Sequence, residues 1–235
     1  MGTTAAQVPR WKTPGGLFLL VLAGTMLAYL PTLGSGFFSD DILYIVGNQT
    51  LQQWPLTQIF GLFTERTNPY EYLPLRDLSY RLDMALFGVS AWGFHLHNLL
   101  LYGLSCAAAW LAARSVINLL ARGAGATPSP WDEVRQRRGA AAAAMLFAVH
   151  PAHVESVAWV AGRKDLLSGL LALLALHLYV QGLASGRVLW FRVSAAWVLF
   201  ALALASKATV LPLALAAVLL AALAGRSATS RRWIG

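Results

Sequence analysis

The sequence predicts an all-α, polytopic membrane protein with about six transmembrane helices and a large first outer loop containing interfacial helices. Three observations carry that prediction. Over 235 residues the composition is 57% hydrophobic and only 12% charged, more apolar than a soluble globular domain. Apolar residues gather into stretches near 15–33, 97–119, 139–150, 166–184, 191–206 and 208–224, against the roughly 20 residues that a spanning helix needs. Basic residues fall in alternate connections between these stretches, as Lys and Arg do in cytoplasmic loops.

The first span, 15–33, follows Arg10 and Lys12, so residues 1–14 read as a cytoplasmic tail. Two basic residues before an apolar run also fit a signal peptide. No small-residue cleavage site follows and the run is long for one, so an uncleaved anchor is expected. Residues 34–94 form the outer loop, where Asp40, Asp41, Glu65, Glu71, Asp77 and Asp83 outweigh Arg66, Arg76 and Arg81. Within it, Pro74 sits at a plausible helix start, and Leu75, Leu78, Leu82 and Leu86 recur at helical spacing, the pattern of an amphipathic helix lying on a membrane.

Residues 97–224 hold the remaining spans. The second carries the single cysteine, Cys106, which excludes a disulfide pair or a cysteine metal cluster. Gly123 to Pro130 reads as a flexible cytoplasmic connection, with Arg122, Arg135, Arg137 and Arg138 around it. The third span runs into a dense polar block, His150-Pro151-Ala152-His153-Val154-Glu155, which ends at Gly162-Arg163-Lys164-Asp165. Pro151 breaks the helical pattern there, and charges beside hydrocarbon are a functional signal by default. Arg187 and Arg192 flank the turn after the fourth span, Ser206-Lys207 separates the fifth from the sixth, and Arg226, Arg231 and Arg232 mark 225–235 as a second cytoplasmic tail. One membrane domain over 1–235 follows, with no separate soluble core. The net charge of +8 is spread over short loops, which argues against a nucleic-acid partner and for membrane lipids. This topology puts Asp40-Asp41, the His150 to Asp165 block and Ser206-Lys207 at one membrane face.

Phe38-Ser39-Asp40-Asp41, then Tyr72-x-Pro74-Leu75 leading to Leu78-Ser79-Tyr80, Gly93-Phe94-His95-x-x-Asn98-Leu99-Leu100, His150-Pro151-x-His153-x-Glu155-x-Val157-Ala158-Trp159, Gly162-Arg163-Lys164-Asp165 and Ser206-Lys207 with Pro212 together resemble the membrane part of the transmembrane and tetratricopeptide-repeat O-mannosyltransferase family. Their order from about residue 16 to 224 carries the resemblance. It implies a C-type polytopic membrane glycosyltransferase. Such an enzyme takes a monosaccharide, mannose or a similar hexose, from a polyprenyl phosphate donor. It transfers the sugar to a hydroxyl of a protein or glycan acceptor, with protein Ser or Thr the first expectation, at the outer or lumenal face and with inversion. Members of that class carry more spans and, in the named family, helical repeats after them, so a fragment or shortened relative of a longer enzyme is expected.

The resemblance places Asp40 and Asp41 at the reaction centre, one of them as general base. Arg163, Lys164, Lys207 and, more weakly, Arg76 become candidates for the donor phosphate. His95, His150, His153, Glu155 and Asp165 become candidates for lining the pocket. A divalent cation, Mg or Mn, is open, and so is the identity of any metal ligand. The alanine, leucine and arginine content fits a bacterial inner membrane with a periplasmic site, the alternative being the endoplasmic reticulum with a lumenal one.

Each residue has a second reading. Asp40-Asp41 also fits a helix-end cap, and Arg163 with Lys164 fits interfacial anchors that snorkel to headgroups. Asp165 fits a helix cap, His150 and His153 fit helix-packing polar groups, and Trp159 fits the interfacial belt. His177 carries no assigned role. For the whole chain, the alternative is a non-catalytic lipid-binding or transport module, or a membrane anchor.

Overall fold

The computed structural model describes residues 13–123, 130–184 and 189–232. The helices are α1 (Pro14–Tyr29), α2 (Gln49–Gln52), α3 (Pro74–Phe87), α4 (Ala91–Gly123), α5 (Pro130–Ala148), α6 (His153–Ala158), α7 (Arg163–Ala184), α8 (Trp190–Ser206) and α9 (Pro212–Arg232). No strand occurs among the described residues. Thr13 caps α1 by accepting the Gly16 N–H at 3.1 Å, with Pro14 at the first helical position, where its missing N–H costs nothing.

The long helix α4, with 33 residues, is the central post. It packs on α7, α5, α1 and α9, and α7 packs in turn on α8. Small residues make these approaches close: Ala108, Ala112, Ala140, Ala141, Ala144, Ala172 and Ala175 are all buried, as expected where helices associate without a hydrophobic driving force. Phe18 meets Trp110 edge to face at 4.5 Å, which seats α1 in the bundle. The Tyr102 hydroxyl donates to the Ala148 carbonyl at 2.7 Å, satisfying one of the carbonyls that the end of α5 leaves unpaired.

The six apolar stretches each fall on helical segments, and among the described residues three helices reach spanning length and hydropathy: Pro14–Gly34, Ala91–Ala121 and Val160–Leu183. The other three expected spans fall short of that length or hydropathy. Helix α5 carries Asp132, Glu133, Arg135, Arg137 and Arg138 in its first half, leaving under three apolar turns. The apolar helices Trp190–Ser206 and Ala208–Ala222 are shorter. Boundaries also move: α4 starts at Ala91, inside the expected loop 34–94, and α9 continues to Arg232, through most of the expected tail. Residues 1–12, 124–129 and Arg187, where the first tail, the flexible connection and one loop charge were expected, lie outside the described residues.

A second core fastens the 34–90 segment to the bundle end. Tyr44, Ile45, Leu51, Trp54, Leu62, Tyr80, Met84, Phe94, Val160 and Ala161 are buried together. Helix α3 forms as its leucine spacing predicts, yet it is turned inside out. Leu82 and Leu86 are exposed, whereas Arg76, Asp77, Ser79, Tyr80 and Asp83 are buried. The C-terminal half of its leucine stripe faces away from the protein while Leu78 packs on the second core, and its polar stripe faces in, which suits a helix beside lipid whose charges pair within the fold.

Candidate functional site

Everything of chemical interest gathers where α7 begins. Gly162 lets the chain turn there, since a Cβ at that position would lie 2.8 Å from the Ser156 Cα and 3.0 Å from the Glu155 carbonyl. The next three residues fan out to three different partners.

Arg163 is fully buried. Its Nε donates to Asn98 Oδ1 at 2.7 Å, its Nη2 to the Phe94 carbonyl at 2.8 Å and its Nη1 to the Asp83 carboxylate. The guanidinium also stands 4.9 Å from the Tyr80 ring centroid. Asp83 gives its other oxygen to His97 Nδ1 at 2.7 Å, so one buried carboxylate joins α3, α4 and α7. Lys164 Nζ contacts both oxygens of Glu71, at 2.8 and 3.1 Å. Glu71 also binds Arg76 Nη1 at 2.5 Å. Arg76 is itself buried, lies 4.4 Å over the Tyr44 ring, and is held by Asp77 at 2.9 Å. Asp165 accepts from Lys207 Nζ at 2.6 Å, at the extended residue between α8 and the Ala208–Val210 turn. Asp165 thus makes an ion pair with its side chain rather than a cap.

Asp40 and Asp41 part company. Asp41 is fully buried and clamps two segments: one oxygen accepts from the Ala161 N–H at 2.7 Å and the other from the Phe38 N–H at 3.2 Å. Burial pushes its carboxyl above the usual carboxylate range, against the pull of those two hydrogen bonds. Asp40 is half-buried, and no hydrogen bond or ion pair engages its carboxylate among the described residues. It follows Ser39, whose φ of +51° is the positive-φ exception among described non-glycine residues, and a π-helical turn, Ile42–Val46, follows it. Backbone held in a sparse region, next to a π-turn, is a feature of functional sites.

The Ser35–Ser39 segment and the α6 residues Val154, Glu155, Ala158 and Trp159 form the walls of an open cleft of about 710 Å³. Val154 and Ala158 also line a second, mostly apolar cavity of about 650 Å³ that runs between α1 and the end of α5. Trp159 offers an indole N–H with no hydrogen-bond partner among the described residues, and fully buried His95 has neither ring nitrogen paired there. Glu155 is exposed in the first cleft and His150 lines the second. His153 instead stacks on Phe147 at 4.4 Å and on Tyr102 at 5.5 Å, and burial lowers its basicity. No group of three His, Cys, Asp or Glu side chains is placed to hold a metal ion among the described residues.

The structure therefore joins Arg76 and Lys164 through Glu71, and Lys207 with Asp165. It keeps Arg163 inside, away from the cleft walls. Sequence reasoning missed Glu71 and Asp83 as partners. Asp83 had a visible signal: Arg76, Ser79, Tyr80 and Asp83 recur at i, i+3, i+4 and i+7, a polar stripe as regular as the leucine one. His177 also has partners, Ser115 Oγ at 2.8 Å and Gln181 at 3.0 Å.

Comparison with known proteins decides the relationship. The chain is 35% identical to the protein O-mannosyl-transferase tmtc2 of Xenopus laevis over 170 residues, 69% of this chain and 18% of that protein. It is 31% identical to TMTC1 of Homo sapiens over 185 residues, 74% and 19% of the two chains, and 33% identical to Tmtc3 of Drosophila melanogaster over 178 residues, 70% and 19%. The chain is a homologue of the TMTC protein O-mannosyl-transferases. Under a fifth of the length of these TMTC relatives is matched. No protein-family model matches the chain, and no solved structure does. These TMTC relatives are animal proteins, so the expectation of a bacterial inner membrane finds no support among them.

Proposed function

We propose that this chain carries the reaction centre of a membrane O-mannosyltransferase. In this reading it moves mannose from a polyprenyl phosphate donor to a Ser or Thr hydroxyl of a protein, at the outer or lumenal face and with inversion. The observation that carries the reading is the split between the two carboxylates: Asp41 is committed to the backbone of two segments, and Asp40 stands unpaired among the described residues, directly after Ser39 in the cleft wall. The name of the TMTC relatives supplies the sugar and the class of acceptor.

The reaction is one displacement. Asp40 takes the proton of the acceptor hydroxyl as its oxygen forms a bond to the anomeric carbon. The bond from that carbon to the phosphate oxygen breaks, and the electron pair leaves with the lipid phosphate. Base catalysis of this kind is worth about 10²- to 10⁴-fold. Charge on the departing phosphate grows during the step, so fixed positive groups lower its barrier. Lys164 and Arg76, which share Glu71, together with Lys207 and the N-terminal end of the 22-residue α7 supply them. Arg163 is a positioning residue, because its donors are taken by Asp83, Asn98 and Phe94. The apolar cavity beside α1 takes the polyprenyl chain, and the Trp159 ring forms part of the wall on the sugar side. The displacement uses the protein's own residues, and a divalent cation, Mg or Mn, stays open as an addition to them.

Transfer of radiolabelled mannose from a polyprenyl phosphate donor to a Ser/Thr peptide, by the protein in lipid, tests this. The expected result is transfer by the wild type and its loss in Asp40→Asn. A folded Asp40→Asn variant that keeps wild-type turnover overturns the mechanism.

A further inference from the structure

The two cations offered to the donor phosphate already have an occupant. Glu71 lies across Lys164 and Arg76, with contacts of 2.8 and 3.1 Å to the first and 2.5 Å to the second. Its exposure, 31%, exceeds that of Lys164 at 15% and Arg76 at 0%, so the carboxylate sits on the open side of the pair. Arg76 is fixed from behind by Asp77, by Thr67 bonded to Asp77 at 2.7 Å, and by the Tyr44 ring. Glu71 is tied at its backbone, where its N–H donates to Asn68 Oδ1 at 3.0 Å; the groups described at its carboxylate are the two cations and the Tyr44 hydroxyl, whose proton burial and the Glu71 charge hold on more tightly. Arg76 Nη2 is buried and turned inward, 2.9 Å from Asp77, so Nη1, on the Glu71 side, is the donor that a competing oxygen would take over.

We propose that Glu71 is a resident counter-anion that competes with lipid phosphate for Lys164 and Arg76, and that its return expels the spent lipid phosphate after transfer. This rests on the reading of Lys164 and Arg76 as the phosphate site. The donor is a phosphodiester with a single negative charge. Breaking its bond to the sugar leaves a phosphomonoester with about −1.5 to −2 charge at neutral pH. The product therefore binds two fixed cations more tightly than the substrate does, which is a poor arrangement for turnover. A tethered carboxylate corrects it, because it is always present at high effective concentration and weakens both ligands without adding a group to the transition state. Glu71 thus sets how the site discriminates between donor and product.

The test is binding of a polyprenyl monophosphate to the full chain in phosphatidylcholine nanodiscs, for wild type, Glu71→Gln and Lys164→Gln. Discs with phosphatidic acid in place of the polyprenyl lipid form a second arm. Glu71→Gln is expected to bind polyprenyl monophosphate roughly ten-fold more tightly, the factor that applies if the carboxylate occupies the cations in about nine molecules of ten. Lys164→Gln is expected to bind it more weakly. If Lys164→Gln weakens binding while Glu71→Gln leaves it unchanged or weaker, the competitor role falls and the phosphate site stands. If Lys164→Gln binds as wild type does, the phosphate site falls, and Glu71 with it. A gain equal in the phosphatidic acid discs gives the site to phosphomonoester lipids in general and overturns its assignment to the spent donor. Should Glu71→Gln fail to fold, carboxyl footprinting of wild type decides: saturating polyprenyl monophosphate raises labelling of Glu71 if it is displaced, and unchanged labelling overturns the proposal.

Discussion

Two adjacent carboxylates in one loop have opposite surroundings, and substitutions separate them. Asp40→Asn is expected to remove transfer by at least about 10²-fold with an unchanged melting temperature. Asp41→Asn is expected to melt earlier, because the amide keeps one acceptor oxygen and turns its NH₂ toward a backbone N–H, either Phe38 or Ala161. A buried donor left unpaired costs about 1–3 kcal/mol. Asp41 also has a pH signature. Burial raises its carboxyl above the unfolded value, so the native state holds the proton more tightly. The associated stability is complete at acid pH and is lost as pH rises from the ordinary carboxylate range through the raised value. Melting curves across that interval should show the decline in wild type and not in Asp41→Asn. Gly162→Ala meets backbone at 2.8 and 3.0 Å and is expected to cost about 1–3 kcal/mol as an overpacked turn, read as a lower melting temperature in detergent.

Among elements, α3 is the one whose docking rests on a charge. The Arg163 guanidinium, buried between α3 and α4, satisfies Asp83, Asn98 and the Phe94 carbonyl together. Arg163→Met should free α3 from the bundle, because Asp83 is left buried without its cation, a loss of about 3–5 kcal/mol. Accelerated proteolysis within 74–87 would show it. An equally protected segment would return the docking to apolar contacts alone. The existence of α3 was legible from Leu75, Leu78, Leu82 and Leu86, but the face it buries was not. Periodicity reveals two stripes and not which one meets lipid, and the decisive partner, Arg163, stands 80 to 84 positions away in the chain. The same holds for Glu71, one acidic residue among several in the loop until Lys164 arrives 93 positions later. His150 and His153 read as pocket-lining candidates, and the structure sets their rings edge to face at 5.7 Å, with His153 also packed on Phe147 and Tyr102.

For the whole molecule, the order of the helices was legible because hydropathy is a local property, and Asp40-Asp41 stood out because carboxylates beside an apolar run are costly. Span number was not, because α5, α8 and α9 combine apolar residues with charged or short ends, and length alone decides between crossing and leaning. Orientation can be tested with the chain's one native cysteine, Cys106, which is buried and should stay silent to a membrane-impermeant maleimide. Ser90→Cys and Glu133→Cys lie at exposed positions outside opposite ends of the apolar part of α4. They are expected to label from opposite sides of sealed vesicles, Ser90→Cys from the side of the Asp40 cleft. Labelling of both from one side would remove α4 as a spanning helix.

The link between Asp83 and Arg163 also has a consequence in time. The two residues are 80 positions apart, and at a synthesis rate of about 5–20 residues per second the arginine follows the aspartate by roughly 4–16 s. During that interval α3 has been made but has no cation to dock on, so its polar face stays hydrated at the membrane surface. The segment that builds one side of the site is therefore assembled late, only once α7 has begun to emerge.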